Sequence, residues 1–402
     1  MRALLSRSGL DPRFTSMLLA LLLMWLVLAA LTGGIFLTPR NLYNLSIQTC
    51  VIAVMACGMV YLMVARQIDL SVGSLLALTG MFAAYTQVEL FAPGSPWGWI
   101  VSIFVAVAIG ILVGIFQGWW VAYQGVPAFV VTLAGYLMFR GAAFMVADGQ
   151  TLAPLHPIYQ MLGGGINGSI GVVASSCLGA LACAYVLWRR WAQRREMHRY
   201  AVQLPPLWLE ALKVGFQCAA IVAFVVVMNS YPDPTHADAQ GHPTGKGIAI
   251  PVLILLLVVF VLTFVAERTR FGRYVFAYGG NPEAALLSGI NTRMVIIKIF
   301  VMMGVLAAVA GVITTARLNS GANSMGQLAE LYVIAATVIG GTSLAGGVGS
   351  IQGAVVGAII IQTLDNGMVL LDVASAKRQV LIGLVLIAAV WFDAFYNRKE
   401  GR

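Results

Sequence analysis

Residues 267–273, ERTRFGR, separate two apolar runs and lead into residues 279–291, GGNPEAALLSGIN. The second stretch reads as one short helix built for water, on a chain that otherwise belongs in lipid. Asn281 is a good N-cap, because its side chain can accept a hydrogen bond from a free backbone amide, and Pro282 suits the first helical position. Glu283 complements the positive end of the helix dipole, and Gly289 can close the far end in left-handed backbone. A capped helix held outside the bilayer and flanked by Arg268, Arg270 and Arg273 offers a docking surface to a partner in the aqueous phase.

The rest of the chain supports that contrast. Its 402 residues are 60% hydrophobic and only 10% charged, with a mean hydropathy of +0.89. Soluble domains carry about a quarter charged residues, so this chain is not one. The expectation is an all-α polytopic membrane protein, a bundle of roughly 10–12 transmembrane helices at about 20 apolar residues each. Continuous rather than alternating apolar runs exclude a β-barrel. The net charge of +9 sits in islands: residues 2–13, residues 189–199 (RRWAQRREMHR), residues 268–298 and residues 398–402. Islands of arginine beside apolar spans mark cytoplasmic loops, so nucleic acid is not a partner. Five cysteines without CxxC spacing read as small core residues, with neither a disulfide frame nor a metal site.

Apolar runs fall near 16–36, 44–65, 71–92, 99–124, 127–147, 169–188, 211–229, 248–266, 294–316, 328–341, 350–371 and 378–395. The first is read as an uncleaved span, because no small-residue cleavage site follows it. Counting crossings from a cytoplasmic N-terminus puts the arginine islands at 189–210, 267–293 and 396–402 inside, and both termini with them. The whole chain, 1–402, then forms one transmembrane domain. Residues 189–247 are an inserted helical hairpin with a cytoplasmic and a periplasmic loop, and residues 267–293 a cytoplasmic loop. Glycine-rich breaks at 68–73 and 340–350 imply half-helices or tight helix pairs lining a cavity. Both end in Val-Gly-Ser, which fits an internal duplication and two ordinary turns equally well. Gly110, Gly114 and Gly118, and Gly353 with Gly357, have the spacing of closely packed helices.

Catalytic chemistry finds little footing. The stretch GHPTGKG at 241–247 has its glycines one residue too close, lacks Ser or Thr after Lys246, and follows no strand, so it is not a nucleotide site. Ser343 in GTSLA would need a base for intramembrane proteolysis, and no histidine lies within an apolar run. Asp233, His236, Asp238 and His242 lack the spacing of a metal site and read as a solvated loop. Ionisable groups near spans are functional candidates by default. Asp69 and Glu330 read as lining a polar path. Arg66 fits an ion pair with Asp69, while Arg140 and Arg317 fit snorkelling to the interface. Asp365-Asn366 marks a further span. Trp119, Trp120, Gln124, Thr132, Gln362 and Asn366 could contact a hydrophilic solute.

Four segments in order carry a resemblance: IDLSVGS (68–74), GWWVAYQGVPAFVVTLAGYLMFRG (118–141), TRFGRYVFAYGGNPEAALLSGIN (269–291) and VIGGTSLAGGVGSIQGAVVGA (338–358). The chain resembles the permease subunits of bacterial ABC importers for monosaccharides, the ribose/arabinose/xylose group. The tract at Trp119-Trp120, the inserted hairpin and LDNGMVLLDV (364–373) resemble its xylose branch most. The resemblance implies a multi-pass inner-membrane homodimer with a monosaccharide path. A cytoplasmic ATP-binding subunit would sit below it, a periplasmic sugar-binding protein above, and lipid around it. It implies no catalytic residue, cofactor or metal. The ATPase-coupling loop would comprise Arg270, Gly272, Arg273, Gly279, Gly280, Asn281, Pro282, Glu283, Ala284, Ser288 and Gly289. The path or gate would comprise Asp69, Ser71, Gly73, Thr132, Glu330, Thr342, Ser343 and Asn366. The alternative is a secondary sugar transporter driven by an ion gradient, which would need ionisable groups near the midplane.

Overall fold

Each of the twelve apolar runs carries a helix in the computed structural model, which describes residues 12–92, 94–165, 167–200, 206–237 and 243–399. In chain order these are α1 (Pro12–Leu31), α2 (Pro39–Val64), α3 (Val72–Tyr85), α4 (Gly98–Ala122) and α5 (Ala128–Met145), then a short connecting α6 (Pro157–Met161). There follow α7 (Gly171–Arg199), α8 (Leu207–Asn229), α9 (Ile250–Arg268), α10 (Arg270–Gly280) and α11 (Pro282–Leu287). The chain ends with α12 (Thr292–Leu318), α13 (Ala329–Ile339), α14 (Ile351–Leu370) and α15 (Ser375–Lys399). Among the described residues, nine helices are long and apolar enough to cross a membrane. The fold is that of an all-α polytopic membrane protein.

α2 and α12 form the centre, with 89% and 67% of their apolar windows buried. α4 lies along α12 on a glycine ridge. A Cβ at Gly110 would stand 2.3 Å from the Gly304 carbonyl oxygen, and one at Gly114 2.5 Å from the Val301 Cα. Such backbone approach lets dispersion contacts hold helices together where lipid removes any hydrophobic drive. Gly353 and Gly357 play the same part between α14 and α13, against the Gly340 and Ala336 carbonyls.

α13 is a half-helix of 11 residues, about 16 Å at 1.5 Å per residue, against about 30 Å of hydrocarbon. α3 has 14 residues and runs on without a break into a π-helical turn of 5 residues, Thr86–Leu90, about 28 Å in all. They run in opposite directions. α3 ends at one face of the bundle, where Gly321 packs on Ala84, and α13 ends at the other, where Gly340 packs on Gly353. Their N-termini meet inside. The expected break at 68–73 feeds α3. For α13, however, the chain enters the interior through 319–328, and the glycine-rich stretch 340–350 is the turn after it. Left-handed Asn319, Gly326 and Leu328 shape that entry, a conformation that a Leu adopts only under constraint. The loop near 231–247 contains two short paired strands, β1 (Pro232–Ala237) and β2 (Pro243–Gly245), which an all-helical reading did not anticipate. Asp238 and His242 lie outside the described residues.

Candidate coupling hub and interior junction

The expected short helix forms as α11, and the basic stretch before it folds as a second short helix, α10. Thr269 caps α10, its hydroxyl accepting from the Gly272 amide at 3.2 Å, and Asn281 caps α11, its side chain accepting from the Ala284 amide at 3.0 Å. Gly289 sits at φ 78° and closes α11. Arg270, Arg273, Glu283, Ala284 and Ser288 are exposed. At the tip Leu286 and Leu287 are 62% and 88% exposed. An apolar tip ringed by arginines and projecting beyond the spans is shaped to enter a partner's groove.

Behind that tip three segments converge. A Cβ at Gly279 would fall 1.8 Å from the Val64 carbonyl oxygen and 2.7 Å from the Gly347 amide, so only glycine permits the approach. The same Val64 carbonyl accepts from the Gly347 amide at 2.9 Å. Arg66, in left-handed backbone at φ 60°, reaches across this hub. Its Nε donates to the Gly279 carbonyl at 2.8 Å and its Nη2 to the Gly280 carbonyl at 2.9 Å. A guanidinium at the carbonyl end of α10 also complements that helix's dipole. Arg66 therefore ties the water-facing helices to the break before α3, and its partner is not Asp69 as local spacing had implied. Burial pushes the Tyr278 phenol up, with the Arg66 charge partly opposing.

The interior junction lies at the other end of that break. Asp69 Oδ1 accepts from the Ser71 amide at 2.8 Å and the Ser71 hydroxyl at 2.6 Å. Gln117 of α4 donates to the Ser71 hydroxyl at 2.8 Å, and the Thr132 hydroxyl of α5 donates to the Ile68 carbonyl at 3.3 Å. All four side chains are buried. At Gly73 a Cβ would meet Glu330 Oε2 at 2.2 Å and the Gly326 carbonyl at 2.4 Å. The first turn of α3 thus touches the entry to α13 backbone to backbone, with Asp69 and Glu330 beside the positive ends of the two helices. Glu330 is 6% exposed, and its Oε2 has no hydrogen-bond partner among the described residues. Arg140 does not snorkel. Its Nη1 donates to the Asn323 and Met325 carbonyls at 2.6 and 2.7 Å, clamping the entry to α13, while Nη2 is buried and unpartnered among the described residues.

The family described as branched-chain amino acid transport system / permease component matches residues 41–390. The chain belongs to this permease family. The xylose transport system permease protein XylH of Haemophilus influenzae is 40% identical over 386 residues, 95% of this chain and 96% of its own. XylH of Escherichia coli is 38% identical, covering 96% of this chain and 92% of its own. The ribose import permease protein RbsC of Escherichia coli is 32% identical, covering 95% and 93%. No solved structure matches.

Within the permease, Asp69, Ser71, Gly73, Thr132 and Glu330 form one cluster, and the remaining path candidates lie elsewhere. Thr342 and Ser343 belong to the turn at the hub. Thr342 is buried, and Ser343 Oγ accepts from the Ala345 amide at 3.2 Å while its own amide bonds the Val348 carbonyl. Asn366 sits at the far face, exchanging side-chain hydrogen bonds with Asn41 at 3.0 and 3.1 Å. Trp119 and Trp120 stack edge-on 5.2 Å apart on the outside of α4 and are 42% and 38% exposed. Sequence reasoning missed Gln117 as well as the true partners of Arg66 and Arg140. An uncharged amide and two arginines at span ends carry no spacing that names a distant carbonyl.

Proposed function

We propose that this permease is the membrane-spanning subunit of an ATP-driven importer that carries a monosaccharide, a pentose such as D-xylose, across the bacterial inner membrane. Near full-length identity to permeases named for xylose and ribose supports the sugar class. The observation that carries the mechanism is the continuous line from the exposed tip of α11 through Arg66 to the α3–α13 junction. Asp69 and Glu330 lie buried inside the bundle. Even so, relatives named as permease components of transport systems leave the ion-gradient alternative without support.

In this reading the α10–α11 end faces the cytoplasm, together with both termini, and each half of a homodimer presents one α11 to an ATP-binding subunit. A periplasmic sugar-binding protein delivers substrate to the opposite face. Closure of the ATPases shifts α10 and α11. Arg66 and the Gly279 contact pull on residues 65–71, and α3 moves away from α13. Separation exposes Asp69, Ser71, Glu330 and the amides of two helix N-termini, which are hydrogen-bonding groups suited to sugar hydroxyls. The permease performs no covalent step; it alternates between packed and parted arrangements biased by its partner.

The test is reconstitution of the permease with its ATP-binding and sugar-binding partners in liposomes. ATP-dependent uptake of a labelled pentose is expected. Uptake driven by an ion gradient without those partners would overturn the reading.

A further inference from the structure

α7 and α8 form a hairpin at the rim of the bundle, with only 6% of either apolar window buried. Its buried positions, Ser175 and Gly179 on α7 and Val225 and Met228 on α8, all lie in the half away from the α10–α11 end. The other half has no buried position among the described residues. α7 has 29 residues, about 43 Å of helix, so its last turns extend past about 30 Å of hydrocarbon into the headgroup layer.

Those turns are densely basic. Arg189, Arg190, Arg194, Arg195 and Arg199, with Lys213 on α8, outnumber the acidic residues of the same stretch, Glu196 and Glu210. Arg194 pairs with Glu210, and the Arg195 guanidinium lies 3.9 Å from the centre of the Trp191 ring. Arg189, Arg195 and Arg199 are exposed and make no ion pair among the described residues. Trp188, Trp191 and Trp208 are 60%, 52% and 62% exposed at the same level, as interface anchors are. This charge sits on an arm with no buried position at that end among the described residues.

We infer that the free end of this hairpin is a binding site for anionic phospholipid, the unpaired arginines taking headgroup phosphate while the tryptophans seat at the acyl boundary. The surface potential of an anionic leaflet favours each such cation, and a lipid bound here fixes the arm relative to the bilayer. The site is separate from the hub and the junction and does not depend on which solute is carried.

The experiment is native mass spectrometry of the purified full-length permease, equilibrated with equal amounts of phosphatidylglycerol and phosphatidylcholine, with inorganic phosphate as a competitor. Preferential retention of phosphatidylglycerol by about fivefold or more is expected, weakening in high salt and unaffected by free phosphate. Replacing Arg189, Arg195 and Arg199 together by Gln removes the preference, while replacing the three by Lys keeps most of it. Thermal unfolding of the Gln variant, unchanged from the parent, shows that the loss is not misfolding. Equal retention of the two lipids by the parent would overturn the inference, as would a Gln variant that still prefers phosphatidylglycerol.

Discussion

Replacing Arg66 by Ala cuts the link between the water-facing helices and the interior while leaving every span intact. Two guanidinium bonds to carbonyls disappear, at 2.8 and 2.9 Å. A hydrogen bond from a charged donor contributes about 1.5–3 kcal/mol, and the solvent-exposed Nη2 bond counts well below that range. The pair together is worth about 2 kcal/mol, or roughly thirtyfold in an equilibrium at about 1.4 kcal/mol per factor of ten. In liposomes containing the assembled transporter, Arg66→Ala is therefore expected to lower sugar uptake about ten- to thirtyfold while ATP hydrolysis continues. Arg66→Gly separates side chain from backbone. Glycine accepts the left-handed φ of 60° without strain, so it should uncouple transport equally while lowering the unfolding temperature less than Arg66→Ala does. Arg66→Lys keeps a charge at the end of α10 but loses the two-pronged geometry, and falls between. Normal sugar carried per ATP hydrolysed in Arg66→Ala would refute the linkage and place coupling on the helix axes of α9 and α12 alone.

The other expectations concern the two ends of that line and the packing around it. Leu287→Asp places a charge on the apolar tip and is expected to abolish co-purification with the ATP-binding subunit, with unchanged thermal unfolding of the permease alone. Gly73→Ala forces a methyl group against the Gly326 carbonyl, costing about 1–3 kcal/mol; its melting temperature should fall and its uptake should vanish together. Arg140→Leu leaves the Asn323 and Met325 carbonyls unbonded and buries Glu330 without a nearby cation, at a cost of about 3 kcal/mol or more. Denaturation monitored by tryptophan fluorescence should show it, and a variant as stable as the parent would mean that the clamp contributes nothing.

Sequence patterning located the twelve helices well because lipid enforces length and apolar continuity on any span. It located the caps of α11 as well, since Asn281, Pro282 and Gly289 act within one turn of their own backbone. What it missed depends on contacts far apart in the chain. Arg66 and Gly279 are separated by 213 positions, and nothing in local spacing told the arginine to turn toward α10 rather than Asp69. The entry at 319–328 was hidden for a similar reason. Leu328 is an ordinary apolar residue in left-handed backbone, a few residues past the carbonyls that Arg140 clamps, whereas the glycines of 340–350 form the turn between the closely packed α13 and α14. Among the path candidates, Asp69, Ser71, Gly73, Thr132 and Glu330 cluster at the interior junction, while Thr342 and Ser343 lie in the turn at the hub and Asn366 lies at the far face.

The division of labour between the α4–α12 and α3–α13 interfaces follows from how each can be broken. α4 and α12 interlock along a ridge that repeats at Gly110, Gly114 and Gly118, so parting them sacrifices dispersion attraction over three turns at once. α3 and α13 meet only at their first turns, and parting them breaks one backbone approach at Gly73 and Gly326. The groups then uncovered are those that gain most from a polar visitor: two helix N-termini, the Glu330 oxygen and the Arg140 nitrogen that lack partners among the described residues. A buried polar group without a partner costs about 1–3 kcal/mol, so the packed arrangement carries a penalty that hydration or sugar hydroxyls relieve. In the proposed cycle that relief would offset part of the cost of drawing α3 and α13 apart, and a link as modest as the two bonds of Arg66 would tip the balance while the ridge of α4 on α12 stays packed.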